Sequence, residues 1–535
     1  MLRKMISYLL VIALTLMVGK ASLIIPVGAI DAGKTETKVL DTATMDDDFT
    51  DDCVMVILTN AESLKFRNYT AADFPEVACK SIEDLSSASA ARVQAKLRGE
   101  EMEAKDAGAA FMNRNVKVDT FRTILCLKLE TPGKGNVLKA IRALEQREDV
   151  YYAGPNYIIT LDLPVTTSSD TSRSTASTND LTDNIGWGAE AIDLSAAWGI
   201  ETGKATVNVG ILDTGIDITH PDLQGRVNTT LSRNFAPDNK SATTDGAGHG
   251  THVAGIIGGA GNNTLGIRGV CQNVTLVSLR VLHYYALQDK YITDCQTVAR
   301  AIIYAEQENI CILNMSFGVP DELQNTVEQA LHGYSGIAIC SAGNDNLNTD
   351  DNNGGSYPGV SDISNVICVG ASTQQNVRWS NSDVGSNYGK QKVDLFAPGH
   401  EIASCYPTEL CEGSECDDDK HIANGYHYLT GTSMATPYVT GVVALMLSSH
   451  DVSPSTVKWI ILNRTEQYAA FRNLCVSGGL LNAYNALNDP TLHTIDGSPI
   501  NATRHRAFCT ECNYSAVGYH AYDGTGNCLI CGYPG

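Results

Sequence analysis

Val209-Gly210-Ile211-Leu212-Asp213-Thr214-Gly215 is an apolar run that stops on an aspartate. Val207, Val209 and Ile211 alternate along it with the period of a strand. Residues 275–282, 310–317 and 336–341 repeat the pattern as further buried strands. Between them Val298, Ala301, Ile302 and Ala305 share one helical face. Strands alternating with helices in this way predict an α/β fold with a mostly parallel sheet and helices on both faces. In such sheets the site lies beyond the carboxyl ends of the strands. Asp213, Ser316 and Asn344 all stand at such ends. Residues 434–447 are apolar and helix-forming, with Pro437 expected in the first turn, where a missing N–H costs little.

Two more blocks follow the aspartate. His249 lies in Gly248-His249-Gly250-Thr251-His252-Val253-Ala254-Gly255, and Ser433 in Gly431-Thr432-Ser433-Met434-Ala435-Thr436-Pro437. A serine hydroxyl is a poor nucleophile unless a base takes its proton and a third group orients the base. Histidine titrates in the useful range, and a carboxylate can fix its tautomer. With these words around each residue, and in the chain order Asp, His, Ser, the sequence resembles the subtilisin-like serine proteases over roughly residues 187–487. The resemblance implies a three-layer α/β fold and serine endopeptidase activity on protein or peptide substrates, through an acyl-enzyme formed by Asp213, His249 and Ser433.

The same resemblance assigns further residues. Asn344, in Ser341-Ala342-Gly343-Asn344, would donate to the oxyanion together with the Ser433 backbone N–H. Ser316, Phe317 and Gly318 would pair with an extended substrate. Ala342 and Gly343 would wall its specificity pocket, with Ser356-Tyr357-Pro358-Gly359 near the floor. Asp345, Asp350 and Asp351 lie in the pocket loop, either selecting a basic side chain or forming a solvated acidic loop. A structural Ca²⁺ site would take side-chain oxygens from Asp222 and Asn263 and carbonyls from Gly261, Leu265 and Ile267, with Asp183 matching loosely.

Working outward, 535 residues exceed one ordinary core. A net charge of −22 argues against nucleic-acid partners. Residues 1–29 read as an export signal: Arg3 and Lys4 precede an apolar stretch over 5–19, Lys20 interrupts it, and Val27-Gly28-Ala29 offers small residues for cleavage. The chain is therefore expected to be secreted or at the cell surface, touching membrane only through that signal, and monomeric. Residues 30–165 read as strand (54–58), helix (88–105), strand (120–129), helix (137–146) and strand (149–158). This α+β unit resembles the family's inhibitory propeptides. Residues 166–182, rich in Ser, Thr and Asp, form a linker, 183–487 the catalytic domain, and 488–508 a second linker.

Sixteen cysteines complete the picture. Cys311, Cys340 and Cys368 sit singly in apolar strands and read as buried thiols. Cys405, Cys411 and Cys416 lie in or beside a polar insertion and are disulfide candidates. Residues 509–535 carry Cys509, Cys512, Cys528 and Cys531 as two Cys-x-x-Cys pairs, the spacing of a structural Zn²⁺ ribbon, with two disulfides as the alternative. His505 and His520 are nearby spare ligands.

Two rivals remain at this point. Asp213-Thr214-Gly215 is also the aspartic-peptidase triplet, but that chemistry needs a second one and none occurs. A non-catalytic binding protein retaining the fold would be expected to have lost a member of the triad.

Overall fold

The computed structural model describes residues 38–100, 102, 107–161, 186–320, 325–351, 356–411, 421–422, 425–489, 492, 495–499, 504–509 and 515–519. The expected signal stretch, the expected 166–182 linker, most of the polar insertion at 409–420 and Cys512, Cys528 and Cys531 lie outside them. Among the described residues no helix is long and apolar enough to cross a membrane.

The first unit holds β1 (Phe49–Leu58), β2 (Cys79–Asp84), β3 (Ile124–Leu129) and β4 (Val150–Leu161). β1 is buried from Cys53 to Leu58 because β3 and β4 pair with its two edges. The helix Lys134–Leu144 buries Val137, Ala140, Ile141 and Leu144 on one stripe, the face its sequence spacing predicts. Two expectations are corrected. The helix expected over 88–105 ends at Leu97, and a second helix follows at Ala107–Arg114. β2 went unread because this edge strand is largely exposed and lacks apolar alternation.

The second region contributes β5 (Asn208–Asp213), β6 (Arg233–Asn234), β7 (Thr275–Arg280), β8 (His283–Tyr285), β9 (Lys290–Asp294), β10 (Ile312–Met315), β11 (Val319–Pro320), β12 (Ile337–Ser341), β13 (Ser356–Tyr357), β14 (Val366–Ser372), β15 (Leu395–Pro398), β16 (Ile402–Cys405), β17 (His421–Ile422), β18 (Tyr426–Leu429), β19 (Glu466–Gln467) and β20 (Gly479–Leu480). Nine of them form one sheet in the order β19-β20-β15-β14-β12-β10-β5-β7-β6. Every pair in it is parallel except β19 with β20. Its central strands are buried throughout, as a sheet covered on both faces requires. The helix Thr432–Ser449 packs on β10, β12, β14 and β15, beside the helix His249–Gly258, which packs on β5 and β7. The helices Cys295–Gln307 and Asn325–Gly333 pack together and meet the first unit.

That meeting is extensive. β4 pairs antiparallel with β9, Ile159 opposite Thr293 and Leu161 opposite Tyr291, giving a six-stranded sheet in the order β2-β3-β1-β4-β9-β8. Arg92 reaches the buried Glu306 at 3.1 Å, and Glu83 accepts from Arg300 Nε at 2.9 Å. Lys117 Nζ donates to Asn365 Oδ1 at 2.7 Å, and Arg122 Nη1 to Gln329 Oε1 at 3.1 Å.

Cys311, Cys340 and Cys368 are buried free thiols. Cys405 corrects its expectation: it is a free thiol too, fully buried in β16. In the tail, β21 (Ile495–Pro499), β22 (Arg504–Cys509) and β23 (Ser515–Tyr519) form an antiparallel sheet with Cys509 at the end of β22.

Candidate active site

β5 delivers Asp213 to the carboxyl edge of the sheet, where its carbonyl accepts from the N–H groups of Val281 and Leu282 at 3.0 and 3.2 Å. Arg280, in register with Asp213 on β7, donates from Nε to the Thr214 carbonyl at 3.0 Å and pairs with Asp238. His249 opens its helix from Gly248, whose φ of +79° lies in the left-handed region that glycine tolerates. Next to it, a Cβ on Gly250 would stand 2.1 Å from the Gly215 carbonyl oxygen. The two blocks can therefore meet only with glycine there. His249 Nδ1 lies 2.8 Å from Asp213 Oδ1, both side chains 1% exposed. The carboxylate can only accept, so Nδ1 carries the proton and Nε2 is left as the basic nitrogen. Nε2 has no partner among the described residues. Burial works against the imidazolium, but the Asp213 carboxylate outweighs it and holds His249 above its ordinary value.

Ser433 stands in the first turn of its helix, 4% exposed. Its hydroxyl donates to the Ser316 carbonyl at 2.9 Å, so the Ser433–His249 bond is not closed in this conformation. Such bonds often tighten only with substrate. The expectation for Pro437 is corrected: the helix begins at Thr432, which puts Pro437 inside it. A proline there has no N–H for the carbonyl four residues back, that of Ser433. Ser316 Oγ takes its place, donating to the Ser433 carbonyl at 3.0 Å. Ser316 Oγ in turn accepts from Asn314 Nδ2 at 2.8 Å, and Asn314 Oδ1 from Thr440 Oγ1 at 2.8 Å. A buried chain thus ties the turn of Ser433 to β10 through Ser316 and then through Asn314 and Thr440, which carry no motif of their own.

Asn344 Oδ1 accepts from Thr432 N and Thr432 Oγ1, each at 3.0 Å. That commits the oxygen and leaves Nδ2 as the free-facing donor beside Gly431. Asn387, also unread in the sequence, pins the loop, donating to the Ala342 carbonyl at 2.9 Å and accepting from Asp345 N and Leu347 N at 3.1 and 2.9 Å. Ser316, Phe317 and Ala342 are buried, while Gly318 and Gly343 are half-buried at the same edge. β11, directly after Gly318, pairs with β13, bringing Ser356 and Tyr357 to that edge. Asp345 is exposed, Asp350 accepts from Gln391 N at 3.0 Å, and Asp351 from Asn348 Nδ2 at 3.2 Å. These are the partners of a solvated loop.

The candidate calcium ligands are arranged differently. Asp222 Oδ1 accepts from Asn263 Nδ2 at 2.7 Å, and Oδ2 from Ile267 N and the Tyr426 hydroxyl, each at 2.9 Å. Asn263 Oδ1 accepts from Leu265 N at 3.0 Å. Asp222 Oδ1 and Asn263 Oδ1 each have one protein donor in this conformation, which leaves each a lone pair for a Ca²⁺ ion. Among the described residues no group of three or more His, Cys, Asp or Glu side chains is placed to hold a metal.

The subtilase family model matches residues 204–493. The chain belongs to the subtilase family. It is 31% identical over 347 residues to a thermophilic serine proteinase of Bacillus sp. (strain AK1), covering 64% of this chain and 73% of that relative. It is 34% identical over 304 residues to thermitase of Thermoactinomyces vulgaris, covering 56% of this chain and 95% of thermitase. Among solved structures, fervidolysin from Fervidobacterium pennivorans, a keratinolytic enzyme related to subtilisin, aligns with a TM-score of 0.57 at 22% identity. It covers 87% of this chain and 64% of that one, and shares the fold. This subtilase is accordingly a serine-type endopeptidase, a hydrolase of peptide bonds. The aspartic-peptidase and non-catalytic readings fall away.

Proposed function

We propose that Asp213, His249 and Ser433 are the catalytic triad of this endopeptidase. The reading rests above all on the 2.8 Å contact between buried His249 Nδ1 and Asp213 Oδ1, with Nε2 unpartnered and aimed for work. Ser433 Oγ turns from the Ser316 carbonyl to His249 Nε2 as substrate binds, gives up its proton and attacks the scissile carbonyl. Asn344 Nδ2 and the Ser433 N–H receive the oxyanion. His249 returns the proton to the leaving amine, and water repeats the sequence to release the acid. Ser316 to Gly318 pair with the substrate backbone, and Ala342 and Gly343 line the pocket for the side chain before the cut.

The chain is made as an exported proenzyme in this reading. Residues 1–29 are removed as a signal, and 30–165 serve as chaperone and inhibitor until a cut at the linker. In support, β4 reaches Leu161 opposite Tyr291, whose hydroxyl would lie 3.3 Å from a Cβ on Gly246, three residues before His249. The first unit thus leads its chain to the neighbourhood of the base. The mature enzyme acts outside the cell, as a monomer. The tail is read as a Zn²⁺ ribbon on Cys509, Cys512, Cys528 and Cys531, with two disulfides as the alternative. A structural Ca²⁺ ion is assigned in this reading to Asp222 and Asn263 with the carbonyls of Gly261, Leu265 and Ile267, since Asp222 Oδ1 and Asn263 Oδ1 each keep a lone pair. A fluorophosphonate probe tests the mechanism: peptide mapping should find the adduct on Ser433, and an active preparation that takes no label there would contradict it.

A further inference from the structure

We propose that Asp245 is a positioning residue for His249, a second buried carboxylate that seats the histidine's helix and lends negative charge to the imidazolium. This rests on the triad assigned above and adds a residue to it.

Asp245 is 7% exposed, in the loop before the His249 helix. Its Oδ1 accepts from Thr214 Oγ1 at 2.8 Å, Ala247 N at 3.0 Å and Gly248 N at 2.9 Å. Its Oδ2 accepts from Thr251 N at 2.9 Å and Thr251 Oγ1 at 2.6 Å. The five donors are divided between two oxygens. An asparagine offers one acceptor and would press its own N–H₂ against one of these sets, so the arrangement asks for a carboxylate, its five donors favouring the ionised form against the burial that raises Asp245 above its ordinary value. Gly248 N and Thr251 N flank His249 and are otherwise orphan donors at a helix start. Fixing both fixes the backbone that carries the imidazole.

The link to Asp213 is a single hydroxyl. Thr214 Oγ1 lies 2.8 Å from Asp245 Oδ1 and 3.2 Å from Asp213 Oδ1, and accepts from Gly250 N at 3.0 Å. One side chain therefore joins both carboxylates to the His249 helix. The other charged or titratable groups nearby do not take this role. His252, one turn along, is held neutral by burial, with its value pushed down to about 3. Arg280, from β7, is committed to Asp238 and the Thr214 carbonyl. The Tyr291 phenol, from β9, is pushed up by burial and by Asp245, and stays protonated. Tyr406 donates its hydroxyl to the Ala247 carbonyl at 3.0 Å. Asp213 is the main support of the imidazolium, and Asp245 acts on it in the same direction. A dry site makes each such charge count for more than it would in water.

The test is the pH profile of kcat/KM for mature wild type, Asp245→Asn and Asp245→Glu on one peptide substrate. Asp245→Asn should move the acid limb down by about one pH unit, because the imidazolium loses a neighbouring negative charge. It should also lower kcat more than it raises KM. Asp245→Glu keeps the charge, so its acid limb should stay with the wild type even where its rate drops. A purely structural role predicts a lower rate with an unmoved limb in both variants, and that result would overturn the proposal. If Asp245→Asn does not mature, the full chain carrying Ser433→Ala, with and without Asp245→Asn, is labelled on histidine and titrated by NMR. The His249 midpoint should fall by about one unit, and an unmoved midpoint again overturns the role. Failure here leaves the triad standing, whereas a Ser433→Ala enzyme that stayed active would remove the triad itself.

Discussion

Replacing Asn344 with alanine removes the proposed oxyanion donor and, with it, the acceptor of two bonds from Thr432. The Asn344 oxygen is held twice by Thr432, at 3.0 Å each, so its amide nitrogen has one orientation. Losing such a donor costs about 3–4 kcal/mol of transition-state stabilisation, a fall in kcat of about 10²–10³-fold. KM should hardly move, since the ground-state carbonyl does not use the donor fully. Thr432→Val gives the graded control. It removes one of the two bonds that orient Asn344, and an uncharged bond is worth about 0.5–1.5 kcal/mol, or a loss of about 2–10-fold. The double variant should be little slower than Asn344→Ala alone, because Thr432 acts mainly through Asn344, its other hydroxyl contact being the Gly343 N–H at 3.2 Å. The assay is kcat on a chromogenic peptide with active sites titrated. Asn344→Ala within about threefold of wild type would refute the argument, as would strictly multiplicative losses in the double variant.

Three further outcomes follow from other contacts. Arg92→Ala leaves Glu306 buried beside Ser335 without its 3.1 Å cation, and breaking such a pair costs about 3–5 kcal/mol. The cleaved first unit should leave the enzyme at least about 10²-fold faster, seen as a shorter lag before activity, and an unchanged lag contradicts this. His252 is buried neutral, with its value pushed down to about 3. The unfolded chain takes that proton below about 6.5 while the folded one does not, so its share of stability is lost as pH falls from about 6.5 toward 3, at about 1.4 kcal/mol per unit. In the Ser433→Ala background, denaturant unfolding at pH 6.5 and 4.5 should show a drop about 2–3 kcal/mol smaller for His252→Gln than for its parent, and equal drops contradict it. Chelator should shorten the thermal half-life through the Asp222 site, and Tyr426→Phe, which removes one donor to Asp222, should cost about 1–3 kcal/mol. A half-life that chelator leaves unchanged would remove calcium from the account.

What could be read from the sequence was what is local in it. Asp213, His249 and Ser433 each sit at the end of an element, so their neighbours in sequence are also their neighbours in space. The central strands announced themselves as apolar runs because both faces of that sheet are covered. Asp245, Asn387 and the Asn314–Thr440 pair were silent, because each acts on at least one partner far away in the chain and looks locally like an ordinary turn or core residue. Pro437 was misplaced for a related reason. The Ser433 carbonyl it leaves open is satisfied by Ser316, 117 residues earlier, which lets the helix begin at Thr432. The pairing of β4 with β9 joins two segments more than a hundred residues apart, and nothing in either strand names the other. The Tyr426 hydroxyl that donates to Asp222 Oδ2 was silent too, because it comes from 204 residues further along the chain.

The most direct measurement is kcat of the mature Ser433→Ala enzyme, its first unit removed by wild-type enzyme in trans and its fold checked by circular dichroism. If Ser433 carries the acyl group, kcat should fall by about 10⁴-fold or more, leaving only the contribution of binding and the oxyanion donors. A correctly folded Ser433→Ala enzyme that kept a tenth or more of wild-type turnover would contradict the account at its centre.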